Sequence, residues 1–157
     1  MFDLATTRIG VIGLGYVGLP LAVEFGKHFP TVGLDINAAR INELQAGIDS
    51  TLEVAPDELR QAGQLRYASH AEELADCTVY VVTVPTPVDA YKRPDFGPLI
   101  GASVTAGRLL KPGDVAIYEA NGIRVDTAGY ESLFTMAAAN RIDLFPRGIN
   151  EVFTEYA

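Results

Sequence analysis

Short apolar runs recur along this chain, and stretches with helical spacing separate them. Ile9-Gly10-Val11-Ile12 ends at Gly13 and reads as a buried strand. Val17 to Lys27 then places Leu21, Ala22 and Phe25 on one side of a helix, with Pro20 in the first turn, where its missing N–H is tolerated. Thr31 to Leu34 is a second strand, closed by Asp35. Ala38 to Ala46 is a helix by the spacing of Ile41, Leu44 and Gln45, with Gly47 as its stop. A polar loop over 48–55 leads to a short helix, Pro56 to Ala62, ended by Gly63. Leu65 to Ala68 is strand-like and Ala71 to Ala75 a helical turn. The strongest strand signal is Thr78 to Val84, whose continuous apolar character suits a central parallel strand covered on both faces. Pro85-Thr86-Pro87 ends it, and 88–95 is a loop. Phe96 to Leu110 is a helix, Pro112-Gly113-Asp114 a turn, and Val115 to Tyr118 another buried strand. This alternation predicts an α/β fold with a doubly wound parallel sheet and helices on both faces.

The chain has 157 residues, which suits one domain of ordinary size. It is 48% hydrophobic and 20% charged, the balance of a globular chain. A net charge of −8 argues against nonspecific binding to nucleic acid or to an anionic membrane. The single cysteine, Cys77, excludes an internal disulfide framework, and His28 and His70 stand too far apart in sequence to suggest a metal cluster. No apolar run approaches the length of a membrane span, and the first residues lack the pattern of a signal peptide. A cytoplasmic protein is the expectation.

The chemistry lies in Gly13-Leu14-Gly15-Tyr16-Val17-Gly18, a GxGxxG between a strand and a helix. Gly13 permits the tight turn, Gly15 lets a pyrophosphate approach the backbone, and Gly18 lets the helix pack on the strand. The helix start then offers free N–H groups and a positive dipole end. Asp35, at the end of the second strand, suits the ribose hydroxyls and repels a 2′-phosphate, so the expected cofactor is NAD rather than NADP. Arg40 either flanks the adenosine or is a solvated residue on an exposed helix face. Thr83 and Thr86 end the strong strand on the ligand side, as contacts or as capping hydroxyls. Glu119 ends the next strand, also on the ligand side, as a contact or as a charged residue merely reaching solvent. Cys77, without a basic neighbour, reads as structural. Neither histidine has a catalytic setting.

Residues 8–119 resemble the cofactor-binding domain of the UDP-glucose/GDP-mannose dehydrogenase family. The likeness is carried by IGVIGLGYVGLPLAVEFG, GLDINAARINELQAGIDSTLEV, VYVVTVPTPVDAYKRPDFGPL and LKPGDVAIYE. The GIDSTLEV and PTPVDAYKRPD stretches are most similar to the branch acting on UDP-N-acetylhexosamines in polysaccharide biosynthesis. The resemblance implies a Rossmann-like fold and NAD-dependent oxidation of a sugar C6 alcohol to a uronic acid. It implies cofactor contacts at Gly13, Gly15, Tyr16, Val17, Gly18, Asp35, Arg40, Thr83, Pro85 and Thr86, and it places Glu119 at the family's EST-x-x-PG segment.

After Glu119 this chain reads Ala120-Asn121-Gly122, where the family has Ser-Thr and a Pro-Gly turn. The family's GG-x-C nucleophile segment and UDP-binding domain have no counterpart in the sequence, so the expectation is a truncated, catalytically incomplete NAD-binding domain with no catalytic residue of its own. A UDP-sugar partner is then expected only in a complete enzyme. Residues 1–119 form the expected domain, and 120–157 an atypical tail packed on it as helix, strand and helix. In the tail, YESLF and RIDLFPRGINE are similar to a fragment of extracytoplasmic solute-binding proteins, which suggests a composite joined near 119–121. Beside the cofactor-binding reading stand a dehydrogenase completed by a partner chain, a non-catalytic Rossmann-like scaffold or interaction protein, and a solute-binding module.

Overall fold

The structure, a computed structural model, describes residues 4–118 apart from 89 and 92. Five parallel strands form one sheet: β1 (Ile9–Ile12), β2 (Thr31–Leu34), β3 (Leu65–Ala68), β4 (Val79–Val82) and β5 (Val115–Tyr118). Their order is β3-β2-β1-β4-β5. The helices are α1 (Gly18–His28), α2 (Ala38–Gln45), α3 (Pro56–Gln61) and α4 (Gly97–Leu109). This is the doubly wound arrangement that the alternation of apolar runs and helical stretches predicts.

The sheet is covered on both faces because its strands are apolar on both. Ile9, Val11, Val79 and Val81 point to one face, where they pack with Leu19, Ala22 and Val23 of α1 and Ile41 and Leu44 of α2. Ile12, Val32, Leu34, Tyr80 and Val82 point to the other, against Leu99, Ala102 and Ala106 of α4. Period-two side chains on continuous apolar strands produce these two cores directly. Tyr80 is fully buried, and its hydroxyl lies 3.2 Å from the Leu74 carbonyl and 3.1 Å from that of Cys77.

Most element bounds agree with the sequence reading to within one residue. The strong strand is shorter than read: β4 is Val79–Val82, with Thr78 and Thr83 outside it. A short 3-10 turn at Leu4–Thr6 precedes β1, and Val88 makes an isolated antiparallel bridge with Pro94 inside the 88–95 loop. The tail read as helix, strand and helix lies outside the described residues, as does Glu119.

The strand order fixes where a ligand can sit. From β1 the chain winds outward to β2 and β3, then returns to place β4 on the other side of β1. The switch point is therefore the carboxyl ends of β1 and β4, the crevice where open α/β sheets bind ligands. Gly13 follows β1 and Thr83 follows β4, so both lie there. Among the described residues no helix is long and apolar enough to cross a membrane.

Tyr80→Phe is expected to cost about 1 kcal/mol, because two buried carbonyls lose their hydroxyl neighbour while the packing remains. Urea unfolding of the two proteins measures the difference.

Candidate cofactor site

The glycine turn is built by close approach. Gly13 has φ +98°, a left-handed conformation that glycine adopts without a steric cost. A β-carbon on Gly18 would stand 1.8 Å from the Gly13 carbonyl oxygen and 2.4 Å from Thr83 Oγ1, so only glycine allows α1 to start there. A β-carbon on Gly15 would meet nothing within 4 Å, leaving its backbone open to an incoming group. No side chain caps the start of α1 at Val17. Gly15, Tyr16 and Val17 face Val84, Pro85 and Thr86 across a cleft that Thr83 also lines. The motif residues and the Thr-Val-Pro-Thr segment are thus brought together.

Thr83 does more than cap a strand. Its hydroxyl lies 2.7 Å from the Gly13 carbonyl and 3.1 Å from that of Ile12, and its N–H donates to the same Ile12 carbonyl at 2.9 Å. It therefore stitches the glycine turn to the end of β4 with a buried side chain.

Asp35 and Arg40 hold Leu14 from its two polar ends. Leu14 N–H donates to Asp35 Oδ2 at 2.8 Å, and Asn37 N–H donates to Asp35 Oδ1 at 2.9 Å. Each carboxylate oxygen keeps acceptor capacity for a ribose hydroxyl. Arg40 Nε donates to the Leu14 carbonyl at 2.9 Å. The solvated reading of Arg40 fails: its side chain is only 8% exposed and is paired with Glu43 and with Asp49. Burial disfavours the guanidinium charge, but hydrogen bonds to Glu43 and Asp49 outweigh it and raise its pKa.

The residue that sequence reading missed is Asp49. Its Oδ1 accepts from Thr51 N–H at 3.0 Å and from the Thr51 hydroxyl at 2.6 Å, and its Oδ2 accepts from the N–H groups of Glu53 and Val54. With Arg40 Nη1 at 2.8 Å, this carboxylate organises the whole 49–54 loop. The only trace in the sequence is an Asp two residues before a Thr, the pattern of a local side-chain turn.

Cys77 is buried, and burial pushes its thiol up to about 11, which agrees with the structural reading. His28 is exposed and lies 3.5 Å from Glu24 on its own helix. His70 is exposed in the turn before Ala71.

Comparison with known proteins adds the lineage. The model of the UDP-glucose/GDP-mannose dehydrogenase family, NAD binding domain, matches residues 7–142. The chain belongs to this family. The cofactor of this domain is NAD, in agreement with the Gly13–Gly18 turn and Asp35. A UDP-N-acetyl-D-glucosamine 6-dehydrogenase of Salmonella typhi is 51% identical over 119 residues, 76% of this chain and 28% of that protein. Its counterpart in Pseudomonas aeruginosa is 55% identical over 112 residues, 71% of this chain and 26% of that protein. The chain thus spans about a quarter of the length of these relatives. A UDP-D-ManNAc dehydrogenase structure from Pyrococcus horikoshii superposes with a TM-score of 0.72 at 27% identity, covering 88% of this chain and 34% of the other. The family match runs past residue 119, across part of the segment that the sequence reading set apart as a tail.

Asp49 supplies a pH prediction. Burial works to raise its pKa, but hydrogen bonds from the Thr51 hydroxyl, the Val54 N–H and Arg40 prevail and hold it at about 2 instead of 3.8. A depressed folded-state pKa adds stability that is complete above the unfolded value and is lost as pH falls through the folded one. Chemical unfolding from about pH 5 to about pH 2 is expected to show a loss of about 2 kcal/mol from this group, absent in Asp49→Asn.

Proposed function

We propose that this chain binds NAD along the Gly13–Gly18 turn and serves as the cofactor domain of an enzyme oxidising the C6 alcohol of a UDP-sugar to a uronic acid. The observation that carries the reading is the open backbone at Gly15 set beside an uncapped α1 start, with the Asp35 carboxylate at the end of the neighbouring strand. The names and identities of the UDP-N-acetyl-D-glucosamine 6-dehydrogenases support the substrate class.

In this reading the backbone of Gly15, Tyr16 and Val17 takes the pyrophosphate, helped by the positive end of α1. Asp35 takes the ribose hydroxyls. Arg40 acts from behind, through the Leu14 carbonyl that it holds. Thr83 keeps Gly13 in place, and Val84, Pro85 and Thr86 form the opposite wall of the cleft. Bound NAD supplies a hydride acceptor; the residues of this chain position it and shield it. Glu119, which lies outside the described residues, is proposed as a further cofactor contact. The proposed cofactor-binding unit is 1–119, followed by 120–157, which lies outside the described residues.

Calorimetric titration with NAD⁺ is expected to show saturable binding at one site. Asp35→Ala should weaken that binding by about tenfold or more, the scale of one lost charge-assisted hydrogen bond. A folded chain giving no heat with NAD⁺ leaves a Rossmann-like scaffold without its ligand and overturns the reading.

A further inference from the structure

An adenosine 2′-phosphate would meet the turn between β2 and α2, because the acidic residue ending β2 holds the 2′-hydroxyl in this class of fold. Sites that accept the phosphate place an arginine nearby. This chain has such an arginine, and it is occupied. Arg40 lies in the first turn of α2. Its guanidinium reaches Leu14, the same residue whose N–H is bonded to Asp35. Nε is used on the Leu14 carbonyl, Nη1 on Glu43 and on Asp49, and Nη2 lies 3.3 Å from Thr51 Oγ1. The facing Asp49 side chain is 1% exposed. The first amides of α2 are occupied too, since Asn37 Oδ1 accepts from Ala39 N–H at 3.0 Å and from Arg40 N–H at 3.4 Å.

We propose that Glu43 and Asp49 are specificity-determining residues: by holding Arg40 inside the loop, they deny a 2′-phosphate its cationic partner and reserve the site for NAD over NADP. The inference rests on the NAD reading above and deepens it. Asp35 is the evident barrier to a 2′-phosphate, but it is not the whole barrier. Glu43 and Asp49 pair with the Arg40 guanidinium, while Asp35 meets the same Leu14 from its N–H side. Neutralising Asp35 alone removes one repulsion and leaves the arginine committed. Releasing the arginine requires its two carboxylate partners to lose their charge. The guanidinium then keeps its place beside Leu14 and regains donors that fit a phosphate.

The test is calorimetric titration of the full chain with NAD⁺ and with NADP⁺, with thermal unfolding to show that each variant is folded. Wild type should favour NAD⁺. Asp35→Ser should weaken NAD⁺ binding and tighten NADP⁺ by no more than about threefold. Adding Glu43→Gln and Asp49→Asn should tighten NADP⁺ by about a further tenfold, and Arg40→Met in that background should abolish the gain. Should Asp49→Asn prevent folding, Asp35→Ser with Glu43→Gln carries the test, since the Glu43 side chain is partly exposed; a gain of about threefold over Asp35→Ser is expected. The proposal is overturned if Asp35→Ser alone yields the full NADP⁺ gain, or if the folded variants lacking these carboxylates show no further gain. Wild type that binds no NAD⁺ defeats instead the reading on which the proposal rests.

Discussion

The start of α1 touches the end of β1, and only hydrogen atoms at residue 18 allow it. With Gly13 O and Thr83 Oγ1 both inside the radius of any β-carbon there, the helix, the glycine turn and the end of β4 share one small volume. Everything at the site follows from that contact. It brings the amino end of α1 to the switch point of the sheet. It puts the Thr83 hydroxyl where it can hold the Gly13 carbonyl. It also leaves Gly15 projecting from the turn with open space around it, because the crowding is confined to its neighbours in the motif.

A second layer fixes this turn from the β2 side. Leu14 is the residue whose polar groups face that way, and they are held by opposite charges: its N–H by Asp35, its carbonyl by Arg40. Its side chain is equally constrained, since a β-carbon on Gly33 would meet Leu14 Cδ2 at 2.8 Å. Arg40 can be buried only because Glu43 and Asp49 balance its charge, and Asp49 can be buried only because the 49–54 loop folds its own N–H groups onto the carboxylate. A buried ion pair of this kind adds little net stability once desolvation is counted, yet removing one partner is costly. Its contribution is therefore geometric: it holds a loop and a turn in register.

The fold and half of the site were legible in the sequence for one physical reason. Continuous apolar runs such as Ile9–Ile12 and Val79–Val82, and a glycine motif between strand and helix, are local patterns, and parallel sheets turn local patterns into topology with few alternatives. Asp35 was readable because its function follows from its place at a strand end. Arg40 was half readable: its position was plain, but its burial depends on Asp49, nine residues on in an irregular loop with no periodicity to announce it. The inward hydroxyl of Thr83 was hidden for a similar reason. Its partners, Ile12 and Gly13, are seventy residues away in sequence and adjacent only through the β1–β4 pairing. Long-range polar partnerships of this kind carry no signature in a single sequence.

The same network bears on how a ligand would be received. Asp35 accepts a backbone N–H at each oxygen, so the fold itself fixes the orientation of its carboxylate. The glycine turn is likewise held by Thr83 rather than by a ligand. Ordering costs that would otherwise be charged against binding are thus met during folding, which is the general route by which preorganised sites gain affinity. The elements left open beside these fixed groups are the Gly15 backbone, the Tyr16 ring and Ile36, which stands almost fully exposed directly after Asp35. An apolar side chain left in water beside a fixed carboxylate is a surface that a flat heterocycle can cover while its sugar reaches the acid. The polar groups of this turn are therefore fixed by the fold, while its apolar side chains stay exposed.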